Sequence, residues 1–292
     1  EVKKVYRNLS NILKPGRSNL TQLNYPYLEG GTGTYAVAPS TTEFDNWESM
    51  TCIILIDYPY NNGGPMGWSP FSMYYTNGSN QKNGFYWYWA GNQWYLIIGH
   101  GGAFPGYAIF NAAAVGGGSY STRSNAKYFM FAISVDWTSA TNNVTSWGAN
   151  GYKIHGTDPT IEQTISVDMT ANGDSGAMGT NGKICIGGYQ DGSNSVTNTG
   201  TRGAGVFGVR IWKNTKLSTT QVYNNMDYVV DDSQYLRLKP HNSAIRSVPQ
   251  PTFEWKPVLD NNTTIPHTGS GTAPDLVIQN DGFIAKHKLD RI

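Results

Sequence analysis

The sequence predicts an all-β protein, and three observations carry that expectation. Aromatic residues reach 13% of the 292 residues, with 19 Tyr and 9 Trp. Charged residues make up only 14%, against roughly 25% in ordinary soluble domains. Short apolar runs are separated throughout by turns rich in Gly, Asn, Ser and Thr. Aromatic and β-branched side chains suit a pleated, half-buried surface, whereas long helices need the Ala, Leu, Glu and Lys that are scarce here. At 39% hydrophobic, the chain has enough apolar material for a real core.

Residues 1–34 read as an irregular N-terminal arm, with Pro15-Gly16, Pro26 and the flexible Gly30-Gly31-Thr32-Gly33. Val2, Val5, Leu9, Ile12 and Leu13 share one side of a short helical period. Lys3, Lys4, Arg7, Lys14 and Arg17 make this stretch basic, which suits a solvated arm or one that docks on an acidic neighbour. Residues 35–230 read as the main domain. A buried strand is expected at 51–56, and the clearest hairpin joins 85–89 to 94–98 around residues 90–93. A central strand follows at 128–137. Asn150-Gly151 signals a tight turn between 145–147 and 152–154. Strands at 164–169, 183–189 and 206–212 complete the set. Ser218 followed by Gln221 is a capping-box pattern and predicts one short helix.

Residues 231–292 hold six of the 14 prolines: Pro240, Pro249, Pro251, Pro257, Pro266 and Pro274. Proline cannot donate to a ladder, so the segment is expected to be a C-terminal arm, or a small subdomain. In the second case 276–278 and 283–285 would close on each other around Asn280-Asp281-Gly282.

Several pieces recur in a recognisable order: Ser134-Val135-Asp136-Trp137, Asn150-Gly151, Ile186-Gly187-Gly188, Phe207-Gly208-Val209-Arg210-Ile211-Trp212 and Lys216-Leu217-Ser218. That order resembles the C-terminal half of a laminin-G-like, concanavalin A-like jelly roll. The resemblance implies a sandwich of two antiparallel sheets with one short helix. In that superfamily the sandwich commonly binds glycans or proteins, and in some members it cleaves polysaccharides. Fold alone does not choose between them.

The residues argue against catalysis. A sandwich-type polysaccharide hydrolase needs two or three carboxylates alternating on one strand, and no Glu-x-Asp-x-Glu pattern occurs. The close acidic residues Glu43, Asp45 and Glu48 fall in a turn-like stretch. Gly173-Asp174-Ser175-Gly176 matches the nucleophile motif of chymotrypsin-like proteases, but His100 and Asp136 lack the context a triad requires. No metal or other cofactor is expected. Relatives often hold Ca²⁺, yet Asp57, Asp174 and Asp191 show no spacing that builds its six to eight oxygens. A net charge of +1 gives no general case for nucleic acid, and no apolar run is long enough for a membrane span.

Two binding features remain. Phe85, Trp87 and Trp89 share one face of a strand while Tyr86 and Tyr88 share the other, so one aromatic set is free to stack on sugar rings. The candidate glycan residues are Tyr86, Trp87, Tyr88, Trp89 and Trp94; the competing reading covers them with another sheet, arm or subunit. The second feature is a set of apolar anchors in the C-terminal arm: Phe253, Trp255, Leu276, Ile278 and Phe283. A disordered linker is poor in such residues, so they are expected to assemble the chain with copies of itself or other surface subunits. The low-charge, Asn/Gly/Thr/Tyr-rich style resembles virion fibre and decoration proteins, phage ones especially. The whole reads as a non-enzymatic structural or adhesive protein of the extracellular space, cell surface or virion surface, with cell-surface glycans as a partner. The alternative is a monomeric bacterial lectin or the carbohydrate-binding module of a larger enzyme. Cys52 and Cys185 are read as two buried thiols, with a single disulfide as the other option.

Overall fold

The computed structural model describes residues 24–29, 35–39, 41–57, 71–76, 82–90, 93–102, 106–111, 128–138, 144–150, 160–165, 183–190, 196–197, 206–218, 220–222, 228–230, 236–238, 250–258, 261–279 and 283–288. In chain order the strands begin with β1 (Asn24–Glu29), β2 (Tyr35–Val37), β3 (Ser49–Asp57), β4 (Phe71–Thr76), β5 (Lys82–Ala90), β6 (Gln93–Gly102) and β7 (Gly106–Asn111). They continue with β8 (Tyr128–Asp136), β9 (Val144–Asn150), β10 (Thr160–Ile165), β11 (Ile184–Ile186), β12 (Tyr189–Gln190), β13 (Val196–Thr197) and β14 (Val206–Lys213). The last are β15 (Tyr228–Val230), β16 (Leu236–Leu238), β17 (Phe253–Trp255), β18 (Thr264–Ile265), β19 (Leu276–Gln279) and β20 (Phe283–Lys288).

Two antiparallel sheets of eight strands each form the sandwich. The first runs β10-β9-β8-β3-β14-β1-β20, with β17 also paired to β14; the second runs β18-β19-β2-β11-β4-β5-β6-β7. Strand alternation explains the core. Met50, Cys52 and Ile54 of β3, Ile133 and Val135 of β8, and Val209 and Ile211 of β14 point inward from the first sheet. Phe71 and Met73 of β4, Phe85 of β5, and Ile184 and Ile186 of β11 meet them from the second.

The far face of the first sheet is buried as well. Thr51, Ile53, Ala132, Ser134 and Trp212 lie there and are buried, as are Leu217 and Val222 of the segment after β14. The Thr51 hydroxyl ties that segment down, accepting from the Leu217 N–H (2.9 Å) and donating to the Thr215 carbonyl (3.0 Å). The helix that follows opens with the expected capping box. The Gln221 N–H donates to Ser218 Oγ (3.3 Å), and the Ser218 N–H donates to Gln221 Oε1 (2.9 Å). Replacing Ser218 with Ala is expected to cost about 1 kcal/mol, read as a lower urea midpoint with an unchanged slope; no change would mean the cap adds nothing beyond packing.

The cysteines are free and buried. Cys52 faces the space between the sheets, whereas Cys185 pairs with Ser72 and Val37 in the row on the other side of the second sheet. A sheet stands between the two thiols, so the disulfide option falls. Burial pushes the Cys185 thiol up to about 12 and Cys52 well above its ordinary value. Gly187 ends β11 with a φ of 80°, a conformation that glycine adopts without strain.

The chain ends correct the expected boundaries. Residues 24–29 and 253–288 are not arms beside the sandwich; they supply strands to both of its sheets. β1 pairs with β20 from Asn24↔Lys288 to Glu29↔Phe283 in the first sheet. β2 pairs with β19 from Tyr35↔Gln279 to Val37↔Val277 in the second. β1 and β20 thus form an antiparallel ribbon in the first sheet, and β2 and β19 form another in the second. β19 and β20 do not close on each other as a hairpin, because they belong to different sheets. Pro26 lies within β1 opposite Lys286, but the prolines around β17, β18 and β19 bracket those strands and do not interrupt them. Pro251 and Pro257 flank β17, Pro266 follows β18, and Pro274 precedes β19. β9 differs too. Its partner beyond β8 is β10, with Ala149↔Thr160, and not residues 152–154. The expected helix within residues 1–34 and the basic residues there lie outside the described residues.

Candidate functional site

The β5–β6 hairpin forms as its sequence implies. Ala90 pairs with Gln93, leaving a two-residue loop, and the register continues through Trp89↔Trp94, Tyr88↔Tyr95, Trp87↔Leu96 and Tyr86↔Ile97 to Phe85↔Ile98. Phe85 lies in the core, so alternation places residues 87 and 89 on the core-side face of the sheet. Trp94, opposite Trp89, belongs to that face as well. The five candidate glycan residues therefore divide: Trp87, Trp89 and Trp94 on one face, Tyr86 and Tyr88 on the other.

The second face carries more tyrosines than the sequence reading named. Tyr95 of β6 is directly opposite Tyr88. Tyr107 of β7 is opposite Ile97, which is opposite Tyr86. Tyr74 of β4 is opposite Gly84, two positions before Tyr86 on β5. Tyr74, Tyr86, Tyr88, Tyr95 and Tyr107 thus occupy one face across four adjacent strands, a width of roughly 14 Å at the usual strand spacing. Tyr95 was within reach of sequence reasoning, because a two-residue loop fixes which residues oppose each other. Tyr107 was not, since no strand was expected at 106–111. At its β4–β11 border this side of the sheet is closed by the Ser72 hydroxyl, which donates to the Gly188 carbonyl (2.6 Å).

The acidic residues have structural partners. Glu43 lies in a 3-10 turn, Thr42–Phe44, with Lys213 Nζ 3.7 Å from Oε2. That ammonium also donates to the Glu43 carbonyl (2.9 Å) and sits 5.9 Å from the Trp47 ring centroid. Asp136 accepts from Thr138 N–H (3.0 Å) and Oγ1 (2.8 Å), with Lys216 at 3.6 Å. Glu254 of β17 is buried against Arg210 of β14, directly across the ladder. It also pairs with Lys256 (2.8 Å) and accepts from the Thr268 hydroxyl (2.9 Å). Burial alone would raise the Glu254 carboxyl, but the two cations outweigh it and hold the group at about 2. These contacts clamp residues 254–268 onto the sheet. Among the described residues, no three His, Cys, Asp or Glu side chains come together as a metal site. Ser175, Asp174, Asp191 and His155 lie outside the described residues.

The expected assembly anchors are largely occupied at home. Phe253, Trp255 and Leu276 are fully buried in the core, and Ile278 packs against it. Trp47 stacks on Phe253 (5.5 Å, 11°), Phe253 on Trp255 (5.8 Å, 16°), and Phe44 meets both edge-on. Phe283 stands opposite Glu29 in the terminal ribbon. The hydrophobic effect that was expected to bind a neighbour is spent within the chain, because the short strands between prolines bring these residues under the sandwich.

No family profile and no curated protein matches the chain. Solved structures do resemble it at low identity. The CBM40 of the Ruminococcus gnavus IT-sialidase, bound to α2,6-sialyllactose, is 16% identical over 68% of this chain and 94% of its own, with a TM-score of 0.44. A SAP-like pentraxin from Limulus polyphemus, a native heptamer, is 9% identical over 87% and 95%, with a TM-score of 0.45. Domains LG4-5 of the mouse laminin α1 chain are 12% identical over 65% and 43%, with a TM-score of 0.39. The all-β sandwich of two antiparallel sheets expected from the sequence is the architecture of this chain, with eight strands in each sheet.

Proposed function

We propose that this is a non-catalytic adhesion protein of the extracellular space or a virion or cell surface, binding glycans on the tyrosine face of β4–β7. The observation that carries the reading is the register, which gathers Tyr74, Tyr86, Tyr88, Tyr95 and Tyr107 on the sheet face away from the core. Tyrosine pairs an apolar ring, suited to the C–H face of a sugar, with a hydroxyl suited to its polar edge. The neighbouring positions on that face are uncharged on β5 and β6 apart from Lys82, which favours neutral hydroxylated ligands over anions. No cofactor enters the proposal.

A glycan array on the full chain tests it, followed by titration of any hit against Tyr88→Ala and Tyr95→Ala. Each is expected to weaken binding by about 1 kcal/mol, several-fold in Kd, with the circular dichroism spectrum retained. The double variant should lose more than either single one. An array without hits, or binding indifferent to both substitutions, sinks the glycan reading. Turnover of any array ligand would sink the non-catalytic one.

A further inference from the structure

The face of the second sheet that carries the tyrosines is divided. At its middle, Ser72 of β4 and Cys185 of β11 are fully buried although they pair on the side away from the core. The chain turns over the sheet there: the Ser72 hydroxyl donates to the Gly188 carbonyl (2.6 Å), and β12 packs against β4. Residues 188–190 thus form a ridge. β5, β6 and β7, with the tyrosine face, lie to one side of it, and β2, β19 and β18 lie to the other.

On that second side the register gathers a small uncharged platform. Gln279 of β19 is directly opposite Tyr35 of β2, and Val277 is opposite both Val37 of β2 and Thr264 of β18. The alternate residues Ala36, Ile265 and Leu276 are in the core, so these five occupy the outer face. All five are accessible: Tyr35, Val37, Thr264 and Gln279 are half-buried, and Val277 is 41% exposed. Asp275, just before β19, is already engaged by the His267 N–H (2.9 Å).

We propose that this platform is a second sugar-binding subsite, which holds one ring of a neutral polysaccharide whose other rings lie on the tyrosine face. The ligand class follows from the chemistry. Tyr35 offers an apolar ring with a hydroxyl at its tip. Gln279 beside it offers two N–H donors and a carbonyl acceptor, and no charge on the platform calls for an ionic ligand. Size decides against a protein partner. Three strands by two rows measure about 10 Å by 7 Å, an order of magnitude below the roughly 800 Å² that each partner buries in a stable complex. β2 stands three strands from β5 and four from β6, about 14 and 19 Å at the usual spacing. A single ring held on the platform binds weakly, but a chain that reaches both places gains from the high local concentration of its second segment. The bridging of the two places rests on the glycan reading of the tyrosine face; the platform itself does not.

The test is a titration of the full chain, monitored by amide NMR shifts, with isomaltose, mannobiose, galactobiose and xylobiose. The polymers dextran, mannan, galactan and xylan are measured beside them. A disaccharide is too short to reach across the ridge, so two separate groups of amides should shift, one on β5 and β6 and one on β2 and β19. Tyr35→Ala or Gln279→Ala should suppress the second group and leave the first; Tyr88→Ala should do the reverse. On the polymer that binds, each of the three should weaken binding on the order of tenfold, since one of the two contacts is then lost. Should Tyr35→Ala fail to fold, Gln279→Ala and the shifts of the unsubstituted chain decide. Shifts on β5 and β6 alone, with polymer binding indifferent to Tyr35→Ala and Gln279→Ala, would overturn the inference and leave the glycan reading standing. Shifts on β2 and β19 alone would overturn the bridging together with the tyrosine-face reading. No shift with any of these probes would overturn both.

Discussion

Removing residues 250–292 is expected to abolish the fold, not to release a smaller jelly roll. The deletion takes Phe253 and Trp255 out from between Trp47 and Phe44, and Ile265 and Leu276 out of the same core. It also strips β1 of its six-residue partner and β2 of one of its two. Truncating Phe or Trp to Ala in a core costs about 3–5 kcal/mol each. Domains are typically stable by only about 5–15 kcal/mol. Two such side chains alone approach that margin. Trp255→Ala by itself should lower the urea midpoint markedly, and the deletion should remove the cooperative transition altogether. A truncated chain that still unfolds cooperatively would mean that the C-terminal strands decorate the sandwich and do not build it.

The second large effect is expected at the buried ion pair. Glu254→Gln leaves Arg210, whose side chain is 3% exposed, facing a neutral amide. Breaking one side of such a pair typically costs about 3–5 kcal/mol. Replacing both residues, Arg210→Met with Glu254→Leu, should cost far less, because no buried charge is then left behind and the Lys256 ammonium is exposed enough to be solvated. The pair also dictates a pH dependence. The Glu254 carboxyl is lowered from 4.5 to about 2, so the unfolded chain binds its proton first as acid is added. The contribution of this group is complete above about pH 4.5, declines as pH falls, and is gone below about pH 2. It amounts to about 3 kcal/mol if the whole shift is realised. Urea melts across that window should fall more steeply for the parent than for Glu254→Gln. Equal slopes would mean that the carboxyl is not held low by its cations.

What could be read from the sequence was local. The hairpin at residues 85–98, the strand from 51 and the strand from 128 announce themselves through runs of apolar residues between turn formers. The Ser218–Gln221 cap is a matter of four consecutive residues. Long-range pairing was hidden. Nothing in Leu276–Gln279 says that it joins the second sheet while Phe283–Lys288 joins the first, since both partners lie some 250 residues earlier. Proline density pointed away from the sheets, because a count of prolines does not distinguish a strand that is interrupted from one that is bracketed. The proposed tyrosine face was half legible for a similar reason. Alternation along β5 separated Tyr86 and Tyr88 from the tryptophans, but adding Tyr74 and Tyr107 required knowing which strands stand beside the hairpin.

The terminal ribbon has a mechanical consequence. Asn24 and Lys288 are paired neighbours at its end, so tension applied between those two residues would pull β1 and β20 apart from that end. The ladder would open like a zipper, one pair of residues at a time, and yield at low force. A load carried from β20 to a ligand held on β5 and β6 would run instead through the body of the sandwich, straining many hydrogen bonds at once. The same molecule would be compliant when stretched between Asn24 and Lys288 and stiff when loaded through β5 and β6.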